Sequence, residues 1–279
     1  MAIDTNRSTS IALPSEISSE IWQKTQEDSA IMRLARQIQL PGLGVTIPVI
    51  TGDPEAGWVG ETEKKPVKNG TLTTKLMTPY TLAVIVPFSN QFKRDIPALY
   101  DAMVQRLPGA LAKKFDATVF GGTAPGSNFD TLADVTAQDL SKAWGALVAA
   151  DADIADHDGI LNGFVLSPKG KATLLNAEDG NGRPLFVNNV AEGAVPVLLG
   201  APTYSSKGAY VSGSPNTVGF AGDWTQAVYG TVEGIKIDIA DQATVGDINL
   251  FEQNMFAVRA EIEVGFRCDP TVFNKLTLA

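Results

Sequence analysis

The longest regular alternation in the chain lies within Pro54 to Asp95, PEAGWVGETEKKPVKNGTLTTKLMTPYTLAVIVPFSNQFKRD. In its second half Leu72, Leu76, Tyr80, Leu82, Val84, Val86 and Phe88 share one parity, with Thr74 and Thr78 filling the gaps. Period-two patterning rich in Thr, Val and aromatic residues predicts a strand with one buried face. One strand from Leu72 to Phe88 would reach about 55 Å at roughly 3.3 Å per residue, against a radius of gyration of about 19 Å for a compact chain of this length. A long hairpin is the simpler solution. Its outgoing limb includes Gly57, Trp58 and Val59, and its tip is the charged segment Glu61 to Gly70. Pro79 and Pro87 lie off the apolar parity and cannot donate to a ladder, which places them on an edge or at a break. Leaving the apolar face wet would forfeit on the order of 10 kcal/mol, at roughly 1.5–3 kcal/mol per large side chain. A second copy of the chain is therefore expected to cover it.

Elsewhere the pattern changes period several times. Residues 1–13 show none and read as an extended arm; Pro14 and Ser15 then open a helix with Ile17, Ile21 and Trp22 on one face. Glu16 and Glu20 stand in its first turns, where the helix dipole favours acids. From Met32 the period is two, with Met32, Leu34, Ile38 and Leu40 on one side, and Pro41–Gly42 turn the chain into a strand through Val45, Ile47 and Val49. Leu99, Met103, Leu107, Leu111, Phe115 and Val119 recur at i+4. They predict one long helix entered at Asp95 and Pro97, kinked near residue 105 by Pro108 and ended by Gly121 and Gly122. Thr136 reads as the cap of a further helix with Asp139 in its third position and Leu140, Ala143, Trp144, Leu147 and Val148 as its buried stripe. A strand Gly163 to Leu166, a short helix capped by Ser167 and Pro168, a turn at Asp179 to Gly182 and short strands from Val195 to Ile239 follow. At the end Phe256, Val258, Ala260, Ile262, Val264, Phe266 and Cys268 alternate with Arg259, Glu261, Glu263 and Arg267, a long strand with one wet face. The fold class is α+β.

Charge and chemistry narrow the function. A formal net charge of −9 argues against a protein that reads or condenses nucleic acid, which needs a concentrated basic footprint. The lone Cys268 excludes an intrachain disulfide and a multi-cysteine zinc site. Met1 leads into a polar segment, and the longest apolar run is too short to cross a membrane, so a cytosol-like compartment is expected. His157, the only histidine, lies in DADIADHDG without a G-x-S-x-G elbow elsewhere, and reads as a solvated turn at a helix end. The same turn carries Asp151, Asp153, Asp156 and Asp158, but counting from Asp151 a calcium loop would meet Ala155 at its fifth position and Asn162 at its twelfth. GFVLSPKGKAT lacks the spacing of a phosphate loop and has Ala172 where a hydroxyl is required. Trp22, Trp144 and Trp224 read as core or interface packing, as does Trp58. The Glu61, Glu63, Lys64, Lys65 and Lys68 cluster reads as a solvated or inter-subunit face rather than an acid–base set. No catalytic residue, cofactor or metal site is expected.

Several collinear segments resemble the tailed-bacteriophage major capsid protein family, whose fold is named after the phage Hong Kong 97. SEISSEIWQKTQEDSAIMRLAR is similar to its amino-terminal arm and first helix. IPVITGDPEAGWVGETEKKP and PYTLAVIVPFSNQFKRD are similar to the two limbs of its extended loop, LLGAPTY with VGFAGDWTQAVYGTVEGIKI to its axial domain, and LFEQNMFAVRAEIEVGF to the closing strand of its peripheral domain. The resemblance implies an arm and first helix over 1–31 and a peripheral domain over 32–52, 89–135 and 241–279 with a spine helix near 97–120. It further implies an extended β-hairpin loop over 53–88 and an axial domain over 136–240. It implies a shell subunit that assembles with itself into pentamers and hexamers of an icosahedral virion capsid, in the host cytoplasm, around DNA that is enclosed without sequence-specific binding. Trp58, Glu61, Glu63, Lys64, Lys65, Lys68 and Lys75 are then the candidate inter-subunit contacts. Some members link a loop lysine covalently to a neighbour's asparagine, but no motif here assigns that role to Lys64, Lys65, Lys68 or Lys75. The arm starts close to Met1, so a separate scaffolding protein or a processed chain is expected, with a portal and a possible decoration protein as further partners. An encapsulin-type compartment shell is the alternative on the same fold, and a soluble hydrolase or binding protein the alternative in another class.

Overall fold

The computed structural model describes residues 15–52, 58, 71–91, 96–179, 181–183, 185–186 and 197–278. In chain order the first half holds α1 (Ser15–Asp28), α2 (Ala30–Leu34), β1 (Arg36–Gln39), β2 (Val45–Gly52), β3 (Thr71–Met77), β4 (Tyr80–Ser89), α3 (Ile96–Gly121) and β5 (Thr136–Asp139). The second half holds α4 (Trp144–Asp156), β6 (Gly163–Leu166), α5 (Pro168–Leu175), β7 (Val197–Leu198), β8 (Ala201–Ser205), β9 (Asn216–Gly222), β10 (Val228–Thr231) and β11 (Lys236–Ala240). The small pair β12 (Thr244–Val245) and β13 (Ile248–Asn249) precedes the long β14 (Met255–Arg267) and the final β15 (Phe273–Leu278).

β14 organises the first sheet. It runs antiparallel to β4 from Met255 opposite Ser89 to Val264 opposite Tyr80, while β11 and β10 pair along its other edge and β1 adds to β10 in parallel. Its predicted apolar side chains, from Phe256 to Cys268, are all buried. They face α3, whose Met103, Leu107, Leu111, Phe115 and Val119 form the predicted i+4 stripe, each at most 2% exposed. α3 continues through Pro108 as one helix from Ile96 to Gly121. The missing amide bond and ring clash of an interior proline cost about 3 kcal/mol, and the apolar stripe buried on both sides of it offsets that cost. α1 lies along α3, with Ile21 in the same core.

The second sheet has the order β5-β15-β9-β6-β8-β7. One face packs Phe164, Leu166, Val218 and Leu276 against Leu147 and Ile154 of α4 and Leu174 of α5. The other turns Val165, Phe220 and Phe273 into the core that α3 shares with the first sheet. Phe115 meets Phe266 edge-on at 6.5 Å, and five residues later Phe120 stacks on Phe220 at 4.7 Å. One helix therefore joins both sheets. Strands β10 and β11 belong to the first sheet and β15 to the second, so each unit takes in a piece of chain from beyond the borders 136, 240 and 241.

Four local expectations need correction. Residues 30–34 form a helix, not a strand: the Ser29 hydroxyl accepts the Met32 amide at 3.2 Å, and Asp116 accepts the amides of Ala30 and Ile31 at 3.0 and 3.4 Å. Those bonds satisfy the orphan donors of a helix start. Thr136 opens a strand paired with β15; the Asp139 carboxylate accepts the Ser141 amide at 3.0 Å and caps the short 3-10 turn Leu140–Lys142, and α4 follows Ala143 with no side-chain cap. Within α4, Leu147 is buried but Trp144 and Val148 are 53% and 42% exposed. Arg267, placed on the wet face of the last long strand, is 8% exposed. The turn and cap at Ser167 hold as predicted, with the Ser167 hydroxyl accepting the Gly170 amide and donating to the Val218 carbonyl. A Cβ at Gly170 would strike that same carbonyl, so the glycine serves close packing of α5 on β9.

Candidate assembly surfaces

Thr78 and Pro79 interrupt the alternating run and exchange its faces. In β4, Tyr80, Leu82, Val84, Val86 and Phe88 pack against the core of their own chain, and Phe88 stacks on Phe256 at 5.6 Å. The expectation that a second copy must cover this face is therefore wrong for residues 80–88. In β3 the parity is reversed: Met77 is fully buried while Leu76, of the supposed buried set, is 41% exposed. Pro79 lies at the break and Pro87 on β4, which pairs only with β14 among the described strands.

β2 and β3 make a two-stranded ladder, from Val45 opposite Met77 to Gly52 opposite Thr71, that belongs to neither sheet. Its root is built from three features. Gly44, at φ +89°, turns the chain into β2 where a Cβ would collide with the Met77 carbonyl. Gly230 and Gly265 face each other across β10 and β14, and a Cβ on either would run into the Met77 side chain. Their absence of side chains lets the hairpin base lie directly on the sheet.

The third feature is ionic. The Arg267 guanidinium donates through Nε and Nη2 to the Leu76 carbonyl at 2.9 and 2.6 Å, through Nη1 to Asp130 Oδ1 at 2.7 Å, and through Nη2 to Asn128 Oδ1 at 3.1 Å. Lys75 Nζ donates to Asp130 Oδ2 at 3.1 Å and to the Cys268 carbonyl at 2.8 Å. The planar fork of arginine suits this geometry in a way that an ammonium would not. The cluster ties β3, the 127–130 loop and the end of β14 into one joint. Burial pushes the adjacent Cys268 thiol far above its ordinary value, so it stays protonated and inert.

Of the predicted contact residues, Lys75 is engaged within its own chain at this joint. Trp58 is fully exposed. Glu61, Glu63, Lys64, Lys65 and Lys68 lie outside the described residues. His157 follows the last residue of α4, with its Nδ1 2.7 Å from the Asp153 carbonyl, and Asp153 accepts the Asn274 amide at 2.9 Å. Among the described residues no three His, Cys, Asp or Glu side chains converge as a metal site. No helix among them is long and apolar enough to cross a membrane. Trp224 is buried, as expected, and its indole donates to the Gly163 carbonyl at 3.0 Å.

A second polar joint escaped the sequence reading. Asp116, buried in α3, accepts the hydroxyls of Ser29 at 2.6 Å and Ser206 at 2.7 Å besides the two amides of α2. Burial raises its pKa despite those four accepted bonds, with no cation beside it among the described residues. Nothing in an apolar i+4 stripe announces such a residue. For Arg267 a signal did exist: Gly265 interrupts its polar parity, and a glycine inside a strand marks a close backbone approach.

Two sheets bound by one long helix, with a hairpin leaving both from a locked root, are the architecture of a structural subunit. The comparisons agree. The profile of the phage capsid family matches residues 9–273. A probable major capsid protein of Mycobacterium phage L5 is 31% identical over 294 aligned positions, covering 95% of this chain and 89% of the relative. A solved chain of Mycobacterium phage Bobi superposes with a TM-score of 0.73 at 20% identity, covering 100% of this chain and 95% of its own. One from Gordonia phage Cozz gives 0.71 at 21%, covering 90% and 87%. The chain belongs to the phage capsid family, and its role is that of a major capsid protein in the virion shell of a tailed phage. The family is a structural one, and the encapsulin-type alternative is not favoured.

Proposed function

We propose that the subunit enters its shell by laying the β2–β3 hairpin and its continuation through residues 53–70 across a neighbouring copy. Trp58, Glu61, Glu63, Lys64, Lys65 and Lys68 supply the contact and Lys75 holds the root. The observation that carries this reading is a ladder that pairs with neither sheet yet is anchored by the Arg267 and Lys75 joint. An isolated two-stranded ladder is marginal in water, so it gains its purpose and part of its stability from a partner.

The unit around β14 acts as the peripheral domain and the unit around β9 as the axial one. Copies gather as pentamers and hexamers, with a separate scaffolding protein and a portal directing closure and a decoration protein as a possible outer partner. The net charge of −9 suits a wall that does not trap the DNA it encloses. No catalytic role is proposed for any residue. Co-expression with a scaffolding protein should give closed shells by sedimentation and negative-stain microscopy. A stable monomer at high concentration, with scaffold supplied, would defeat the reading.

A further inference from the structure

We propose that the outer face of α4 is a contact between copies of this chain, seated on the lysine-bearing flank formed by α5 and the turn after β8 of the next copy. The proposal rests on the shell reading and names a second surface within it. α4 buries Ala146, Leu147, Ala150 and Ile154 against its own sheet. Its opposite side carries Trp144, Val148, Ala152 and Ala155, all exposed. A surface helix ordinarily presents charge outward, and one that is apolar on both sides is a helix that becomes buried. The patch is extended by Phe186, whose ring lies 6.4 Å from that of Trp144, and by Leu185, 45% exposed. Contiguous exposed apolar surface of this kind marks an interaction site.

Charge selects the occupant. Asp151 and Asp156 rim the apolar face, both exposed and neither in an ion pair among the described residues. α5 carries Lys169 and Lys171 with no acid, and Lys207 follows β8; none of the three is ion-paired among the described residues either. α4 packs on β5, β15 and β9, and α5 on β9 and β6, so the acidic helix lies toward the β5 end of the sheet and the lysines toward β8. Two copies joined α4 to α4 would set Asp151 and Asp156 against their own counterparts, and like charges in contact repel. A head-to-tail contact instead meets acid with lysine, and such heterologous contacts generate rings when the rotation closes.

The test compares four chains, each co-expressed with scaffold: wild type, Asp151→Lys with Asp156→Lys, Lys169→Glu with Lys171→Glu, and all four substitutions together. Each reversal alone should lower the yield of closed shells at least tenfold with the subunit unfolding curve unchanged, and the combination should restore it. Unchanged yield in both reversals, or no recovery in the combination, overturns the proposal while wild-type shells keep the shell reading intact; no wild-type shells would sink that reading itself. A second measurement stands apart from charge. In shells of an Ala152→Cys, Lys171→Cys chain, a short bis-maleimide should link subunits into a ladder ending at pentamers and hexamers. Products confined to single subunits would contradict the contact.

Discussion

Residues 71–77 and 80–89 carry one continuous apolar parity, yet the two halves do opposite things. After the break at Thr78–Pro79, the even-numbered side chains of β4 enter the core of their own chain along β14 from Met255 to Val264. Before it, β3 turns Met77 inward and Leu76 outward, and among the described strands pairs only with β2. Alternation reports that a strand has two unlike faces, but a break of two residues resets which face is which. The first half is held by backbone ladder, glycine clearance and an ionic joint, and the second by apolar burial. Substitutions should separate these two modes.

The largest effect belongs to the buried half. Ile262 is 1% exposed and lies opposite Leu82, so Ile262→Ala should cost the unassembled subunit about 2–5 kcal/mol. Urea unfolding followed by circular dichroism measures it, and a loss below 1 kcal/mol would mean that this face is not core.

Next comes the joint beneath the hairpin. Arg267→Gln leaves Asp130 short of a cation and the Leu76 carbonyl without its fork of donors, a loss of about 3 kcal/mol. That figure sits at the low end for a buried pair because the Asp130 side chain is 22% exposed. Arg267→Lys should recover only part of the loss, since it keeps the charge and not the geometry. Full recovery would show that charge alone matters there.

Asp116 is smaller and depends on pH. Asp116→Asn turns an amide donor toward the amide of Ala30 or Ile31, an unsatisfied buried contact worth about 1–3 kcal/mol. The wild-type carboxyl has a raised pKa in the fold because of burial. Its contribution is therefore fully present below the ordinary carboxylate pKa and declines as pH rises through the raised value. The stability advantage of wild type over Asp116→Asn should shrink from acid toward neutral pH, and an advantage that grows over that range would contradict the assignment.

The smallest subunit effect is Leu76→Ser. An exposed position away from core or cap changes stability by about 0.5 kcal/mol or less, so the isolated subunit should unfold as before while the shell, where this side chain meets a neighbour, dissociates at lower temperature. Equal shells would place Leu76 in solvent.

Much of this was legible before any coordinates. The α3 stripe from Met103 to Val119, the alternation of β14, the Ser167 cap and the final burial of Trp224 follow from periodicity and local capping, which are properties of neighbouring residues. The misreadings share a different cause. Met32 and Leu34 fit a two-residue period, but Asp116, 87 positions beyond Ser29, completes the helix start there. Thr136 has the chemistry of a cap, yet β15, at the far end of the chain, takes it as a strand. Arg267 resembles Arg259 in pattern; Arg259 stays exposed with Asp238 at 2.7 Å, whereas the hairpin root covers Arg267. These three errors arose where a contact distant in sequence outweighed a local preference. The expectation of a partner for the hairpin rested partly on the wrong residues, since Tyr80 to Phe88 are satisfied at home.

The central claim is that the body folds on its own and the hairpin serves the neighbour. Replacing residues 61–70 by a short Gly-Ser link and following the temperature at which scaffold-assembled shells come apart, against that at which the free subunit unfolds, tests it most directly. The account predicts an unchanged subunit transition with shells that fail to close or dissociate well below wild type. Shells as stable as wild type, or a subunit that no longer folds, would contradict it.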